Sequence, residues 1–180
     1  MTAIGTMRTV RDQVRRQAVG YARPDRATGG YAVAMGVFGA VAGGLSLVAA
    51  RTGRRPPPLT PWELTLLGLA THKIACIVAK DAVTSPVRAP FTRFEGPAGN
   101  AELAEEVRGS GPRKAVGELV TCPFCLGPWV ATALTAGLTF APGVTRPAMG
   151  VFSAVAVSDF LQLGYAAAQQ RTDPPEARQV

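Results

Sequence analysis

The residues best equipped for chemistry lie in "TCPFCLGPWV", residues 121–130, and in two apolar blocks before and after it. Cys122 and Cys125 bracket a Pro-Phe pair, a spacing shared by metal knuckles, thiol redox pairs and cysteines that start a helix. The chain holds three cysteines and one histidine, the ligand set of a closed Cys3His zinc site. His72 and Cys76 are four residues apart and share a helix face, so Cys122, Cys125, Cys76 and His72 form the candidate metal set, with zinc or iron as the candidate ion. A second group is ionisable. His72, Lys73 and Asp159 sit inside apolar stretches, where a charge costs about 2.5–3.5 kcal/mol on insertion scales and must find a partner.

These residues are positioned by hydrophobic blocks. Of the 180 residues 47% are hydrophobic, unusual beside 15 prolines and 20 glycines, and the mean hydropathy is +0.16. Residues 31–50 run without a charge, and about 20 such residues suffice for a helix to cross a core of roughly 30 Å. The blocks at 62–80, 123–141 and 147–168 qualify less cleanly, the first because His72 and Lys73 fall near its middle. The expected fold is therefore all-α: a polytopic membrane protein with four transmembrane helices and an N-terminal amphipathic helix. Residues 1–30 form a basic amphipathic segment, 31–168 the membrane domain with a loop at 81–118, and 169–180 a disordered tail. The polar, basic stretch ahead of residue 31 is too long for a cleavable signal, so the first span reads as an uncleaved anchor.

Orientation follows from Lys and Arg counted by loop. Fourteen lie in the N-terminal segment, the 80–118 loop and the tail, against four (Arg51, Arg54, Arg55 and Arg146) on the other side. Both termini and the long loop are thus expected in the cytoplasm of a bacterium, whose GC-rich genome the Ala, Arg, Gly and Pro bias suggests. The net charge of +7 belongs to that face, where anionic lipid headgroups are the natural partner. No basic stripe interleaved with aromatics argues for nucleic acid.

Along the chain, Met7, Val10, Val14, Ala18 and Tyr21 recur at helical spacing opposite arginines. Gly36, Ala40 and Gly44, with Gly39 and Gly43, make a small-residue face on the first span that should pack against another helix, from this chain or a partner. Residues 51–63 form a stiff connector, with Thr60-Pro61 fitting an N-cap and first helical position. In the long loop, Phe91 and Phe94 alternate with Arg88 and Arg93, which suits contact with headgroups or with a partner's acidic surface. "NAELAEEVRG" reads as a short acidic helix. Pro123 fits the first turn of a helix capped by Thr121 or Cys122. Counted from Pro61 and Pro147, Lys73 and Asp159 sit at matching depth, so a Lys73–Asp159 or His72–Asp159 contact is expected.

The runs "HKIACIVAKDAVTSPVRAPFTRFEG", "GELVTCPFCLGPWVATAL" and "AVSDFLQ" resemble a bacterial family known as domain of unknown function 1360, over residues 62–168. The resemblance implies a small multi-span membrane protein and no particular activity. It carries His72, Lys73, Asp81, Arg88, Pro90, Phe91, Cys122, Cys125, Trp129 and Asp159. Its pattern has no cysteine at position 76, which favours a site built on Cys122 and Cys125 with other groups, or none.

With no nucleotide loop and no nucleophile beside an obvious base, the first reading is a structural, assembly or complex-subunit protein, not an enzyme. Its partners would be the bilayer, another membrane protein or a second copy of itself. A metal- or thiol-dependent protein centred on the CPFC motif is the alternative. A small transporter or channel subunit resting on His72, Lys73 and Asp159 is the third.

Overall fold

The computed structural model describes residues 28–98 and 102–172. The amphipathic helix expected over 4–21 and the last residues of the expected tail lie outside them. Four long helices, α1 (Thr28–Arg51), α2 (Pro61–Lys80), α5 (Pro123–Phe140) and α6 (Pro142–Thr172), are each long and apolar enough to cross a membrane. Between α2 and α5 stand a 3-10 turn (Ala82–Thr84), a one-turn helix α3 (Ser85–Arg88), strands β1 (Thr92–Pro97) and β2 (Leu103–Val107), and helix α4 (Gly111–Val120).

Local sequence explains where the helices begin. Thr60 caps α2: its hydroxyl accepts the Glu63 N–H at 3.2 Å, while the Glu63 carboxylate accepts the Thr60 N–H at 3.0 Å. This reciprocal box satisfies two amides that a helix start otherwise leaves open. Helix α5 begins at Pro123 with Cys122 as its cap. Helix α6 begins at Pro142, five residues before the expected start, so Pro147 lies inside it. It continues to Thr172, into the stretch expected to be a disordered tail.

Helix α2 is central, packed against α5 and α6. Leu67 and Ala70 of α2, Leu138 of α5 and Met149 of α6 form the buried cluster, flanked by Leu66, Leu134 and Phe152. Ser153 of α6 donates to the Leu66 carbonyl across the interface at 2.7 Å. Large apolar side chains elsewhere point outward, among them Met35, Leu47, Leu64, Val151 and Leu161.

One expectation is corrected. The fold is not all-α: the segment read as an acidic helix contains β2, which pairs antiparallel with β1 in the register Thr92↔Val107, Arg93↔Glu106 and Phe94↔Glu105. Helix propensity of Ala, Leu and Glu yields here to tertiary contact, because only a strand brings Glu105 to the buried guanidinium of Arg88. Of the two packings left open for the small-residue face of α1, none within the chain is seen among the described residues. A Cβ added at Gly36, Gly39, Gly43 or Gly44 would meet nothing within 4 Å. Helix α1 leans instead on α4 and α5 through Gly30, Tyr31 and Phe38. The Phe38 ring meets Trp129 edge-on at 5.2 Å, and the Tyr31 hydroxyl donates to the Glu118 carboxylate.

The hairpin is seated through Gly117 of α4, where an added Cβ would lie 2.5 Å from Val107 Cγ1 and 3.2 Å from the Phe91 carbonyl oxygen. Overpacking of this kind costs about 1–3 kcal/mol. Gly117→Ala is therefore expected to lower the unfolding temperature of the detergent-purified protein. Gly127→Ala on α5, where the added methyl meets nothing within 4 Å, is expected to hold or raise it.

Candidate functional site

The polar groups gather at three places. The first is the junction of α2 with the hairpin, organised by Arg88, whose side chain is fully buried. Its Nε donates to Glu105 Oε2 at 2.7 Å, and one Nη2 hydrogen reaches Glu105 Oε1 at 3.3 Å. The other Nη2 hydrogen goes to the Asp81 carbonyl at 3.0 Å. Nη1 donates to the Val78 carbonyl at 2.8 Å and to the Thr84 hydroxyl at 2.7 Å. All five guanidinium donors thus have acceptors, and two of those are carbonyls at the end of α2 that the helix leaves open.

The remainder of this junction follows the same logic. Arg108 donates to the Ala89 carbonyl at 2.5 Å and Arg113 to the Pro90 carbonyl at 2.6 Å, holding the turn into β1. The expectation that Arg88 meets headgroups or a partner is therefore corrected: every donor it has is committed inside the fold. Phe91 is half-buried on the Gly117 side, whereas Arg93 and Phe94 are exposed. The alternation of Phe and Arg carried the signal for an outward face, and it holds for Arg93 and Phe94. The partner Glu105 was missed because its segment reads as a helix.

The second place lies between α2 and α6. Lys73 Nζ stands 2.8 Å from Asp159 Oδ2. His72 does not join that pair. Its ring stacks on Phe160 with centroids 5.7 Å apart and planes 16° from parallel, and both its nitrogens lie 3.9 Å from Cys76 Sγ. Of the predicted polar cluster, then, Lys73 and Asp159 meet and His72 stands beside them. The pair closes on itself, with no series of acidic or histidine side chains leading from it among the described residues.

The third is the start of α5. Cys122 Sγ accepts the Cys125 N–H at 3.2 Å, the bond of a helix cap. Cys125 is exposed, and Cys76, Cys122 and Cys125 are all free thiols. Among the described residues no three His, Cys, Asp or Glu side chains gather as ligands. The His72–Cys76 pair and the Cys122–Cys125 pair stand separately, and the candidate Cys3His set is not assembled among the described residues.

At the other end of the bundle the charges are structural. Arg146 pairs with Glu63 at 3.2 Å, and Arg54 donates to the Phe140 carbonyl at 2.7 Å, closing the end of α5. A cleft of about 270 Å³ between α1 and α5 is lined by Ala42, Ser46, Thr132, Thr135 and Thr139, with further alanines and the apolar Leu45 and Phe140. Each of these hydroxyls donates to a carbonyl four residues earlier in its own helix, so the cleft wall is apolar in effect.

Comparison with known proteins adds a family and a relative. The profile described as protein of unknown function (DUF1360) matches residues 66–165. A sporulation protein of Bacillus subtilis (strain 168), YjcA, is 35% identical over 71 residues, 38% of this chain and 60% of the relative. The chain thus spans about 60% of the length of the curated relative it matches. No solved structure matches significantly.

Proposed function

The chain belongs to the DUF1360 family of proteins of unknown function, and from that premise we propose that it is a non-enzymatic, four-span protein of the bacterial cytoplasmic membrane. It acts as a structural or assembly subunit of a larger complex. Membrane residence is supported by four apolar helices whose large side chains face outward around a small core. Water would not tolerate that much exposed apolar surface, whereas lipid solvates it. The excess of Lys and Arg on one side supports a cytoplasmic location for both termini and the hairpin.

One observation carries the assembly reading: the Arg88 junction. A fully buried arginine with five satisfied donors fixes the hairpin rigidly to the end of α2, and the hairpin displays Arg93 and Phe94. Here the charge is withdrawn into the scaffold, and what remains outside is a contact surface of mixed charge, Arg93 and Phe94 beside Glu95, Glu102 and Glu106. The relative, named a sporulation protein, comes from a bacterium, which agrees with the bacterial membrane proposed here.

The test is native-membrane extraction in mild detergent, comparing the wild type with Arg93→Glu/Phe94→Ala. The wild type is expected in a species larger than the chain, and the double variant is expected to lose it while keeping its thermal transition. A wild-type chain that runs alone and is indifferent to the change rejects the assembly reading.

The exposed Cys125 beside the free Cys122 supports a second reading, a metal- or thiol-dependent protein. Two thiolates are half of a closed zinc site, so a resident zinc or iron requires further ligands from outside this pair. On the assembly reading, purified protein contains no stoichiometric metal and three titratable thiols. Cys122→Ser/Cys125→Ser then leaves the thermal transition within a few degrees, since serine also caps helices. About one metal per chain, lost in the double variant, would favour the second reading.

A further inference from the structure

We propose that the cleft between α1 and α5 holds an acyl chain of an anionic phospholipid, whose phosphate is met by Arg54 and Arg55 at the cleft's end. The proposal rests on the membrane reading above and adds a lipid site to it, in the leaflet opposite the hairpin.

The cleft follows the last turns of both helices. Its lining runs from Ala42 to Ala49 on α1 and from Ala131 to Phe140 on α5, with Pro56 beyond them. At about 1.5 Å per residue this is a slot roughly 10–13 Å long, most of the roughly 15 Å that one leaflet contributes to the hydrocarbon core. Spread over that length, about 270 Å³ gives a mean section of roughly 25 Å². A helix about 10–12 Å across needs roughly 80–110 Å² and does not enter. An extended hydrocarbon chain does, since its carbons meet their neighbours at about 3.5–4.0 Å. The walls select for hydrocarbon as well. The hydroxyls of Ser46, Thr132, Thr135 and Thr139 are spent on carbonyls of their own helices, so a polar occupant would find no partner there.

The charge at the mouth identifies the headgroup. Arg51, Arg54 and Arg55 are exposed and form no ion pair among the described residues. Residues 28–62 and 119–158 contain no Asp or Glu, and Glu63 at this end is already paired with Arg146. The anion must therefore come from outside the chain. Arg51 complements the C-terminal dipole of α1, a structural duty that Arg55 does not share. Arg54 is held at the edge of the cleft. Its Nη1 donates to the Phe140 carbonyl at 2.7 Å, and its guanidinium carbon stands 5.8 Å from the centroid of the Phe140 ring, part of the lining. The rest of its fork has no acceptor among the described residues, and such a fork matches phosphate oxygens. Arg55 precedes Pro56, which also lines the cleft. An apolar helix would leave these charges unmet, and an acidic protein surface would leave the slot unfilled. A phospholipid carries a hydrocarbon chain and a phosphate joined end to end, as the slot and the arginines are.

The test is native mass spectrometry of the detergent-purified full chain, titrated with phosphatidylglycerol or with phosphatidylcholine of the same acyl chains. One phosphatidylglycerol per chain is expected to be held in preference. Arg54→Gln and Arg55→Gln are each expected to weaken it about fivefold, whereas Arg93→Gln on the hairpin changes little. Ala42→Phe, which fills the slot, is expected to lower retention at least as far with every arginine in place. Ala131→Leu is the milder filling, used if the first variant loses its thermal transition. Equal retention of the two lipids, equal loss from all three arginine variants, or unchanged retention in a folded variant with the slot filled would overturn the proposal. So would a protein bound at Arg54 and Arg55 in place of lipid. An alkaline wash of native membranes separates the two failures. Release of the chain rejects membrane residence itself, whereas a retained chain with no preference for phosphatidylglycerol rejects only the lipid site.

Discussion

Arg88→Ala is expected to unseat the hairpin and lower stability by about 3–5 kcal/mol, the usual cost of removing one partner of a buried ion pair. The physical reason lies in what is left behind. Glu105, whose side chain is 6% exposed, would keep a carboxylate with no counter-charge, and the Val78 carbonyl would lose the Arg88 donor, while the Asp81 carbonyl keeps only its bonds from Thr84. Arg88→Lys should recover little, because an ammonium offers three donors around one point where five are used in a planar fork. Arg88→Met/Glu105→Leu should recover most of the loss, since apolar side chains of similar volume often replace a buried pair at little cost. Thermal unfolding of the detergent-purified protein measures all three. Limited proteolysis at residues 92–108 reports whether the loss is local, and helical circular dichroism reports whether α2, α5 and α6 survive. A single alanine variant as stable as the wild type, or a double variant worse than both singles, would refute the account of Arg88 as the anchor of the hairpin.

How far the sequence was legible depended on whether the signal was local. Charge-free runs and the Thr60-Pro61 and Cys122-Pro123 starts are local, and the helices stand close to where they point. The depth match of Lys73 and Asp159 was legible for a related reason: two rigid rods of known rise per residue convert sequence position into height. The hairpin was not legible, because Leu103–Val107 has helical propensity and becomes a strand only through Arg88 and β1. Arg88 itself was misplaced for the same reason. Its neighbours suggest a surface, and its acceptors come from 78, 81, 84 and 105, which no local window joins. The cysteine and histidine count was an inventory without geometry, and the two pairs it joined stand apart.

The Arg88 junction and the Lys73–Asp159 pair together divide the labour of holding α2. The junction fixes its end to the hairpin, while the pair fixes its height against α6. Lys73→Leu should leave the Asp159 charge alone within the bundle, and Asp159→Leu should leave Lys73 alone, each at about 2.5–3.5 kcal/mol for the unpaired ion. The cost of either falls if the orphaned group neutralises, or if Lys73 reaches the headgroups along its own stem. Asp159 has no such stem, so Lys73→Leu is expected to be the more damaging change. Lys73→Leu/Asp159→Leu should be close to the wild type, because no charge then remains to be paired. Thermal stability of the four proteins, with insertion efficiency from alkaline-washed membranes, completes the cycle. The same double variant separates structure from transport. A proton or ion path through these groups would be abolished in proteoliposomes while the fold survived, whereas a packing device would leave the double variant's assembly with its partners intact. Retention of both fold and complex in the leucine double variant, with both single variants impaired, is the outcome that the closed 2.8 Å pair leads us to expect.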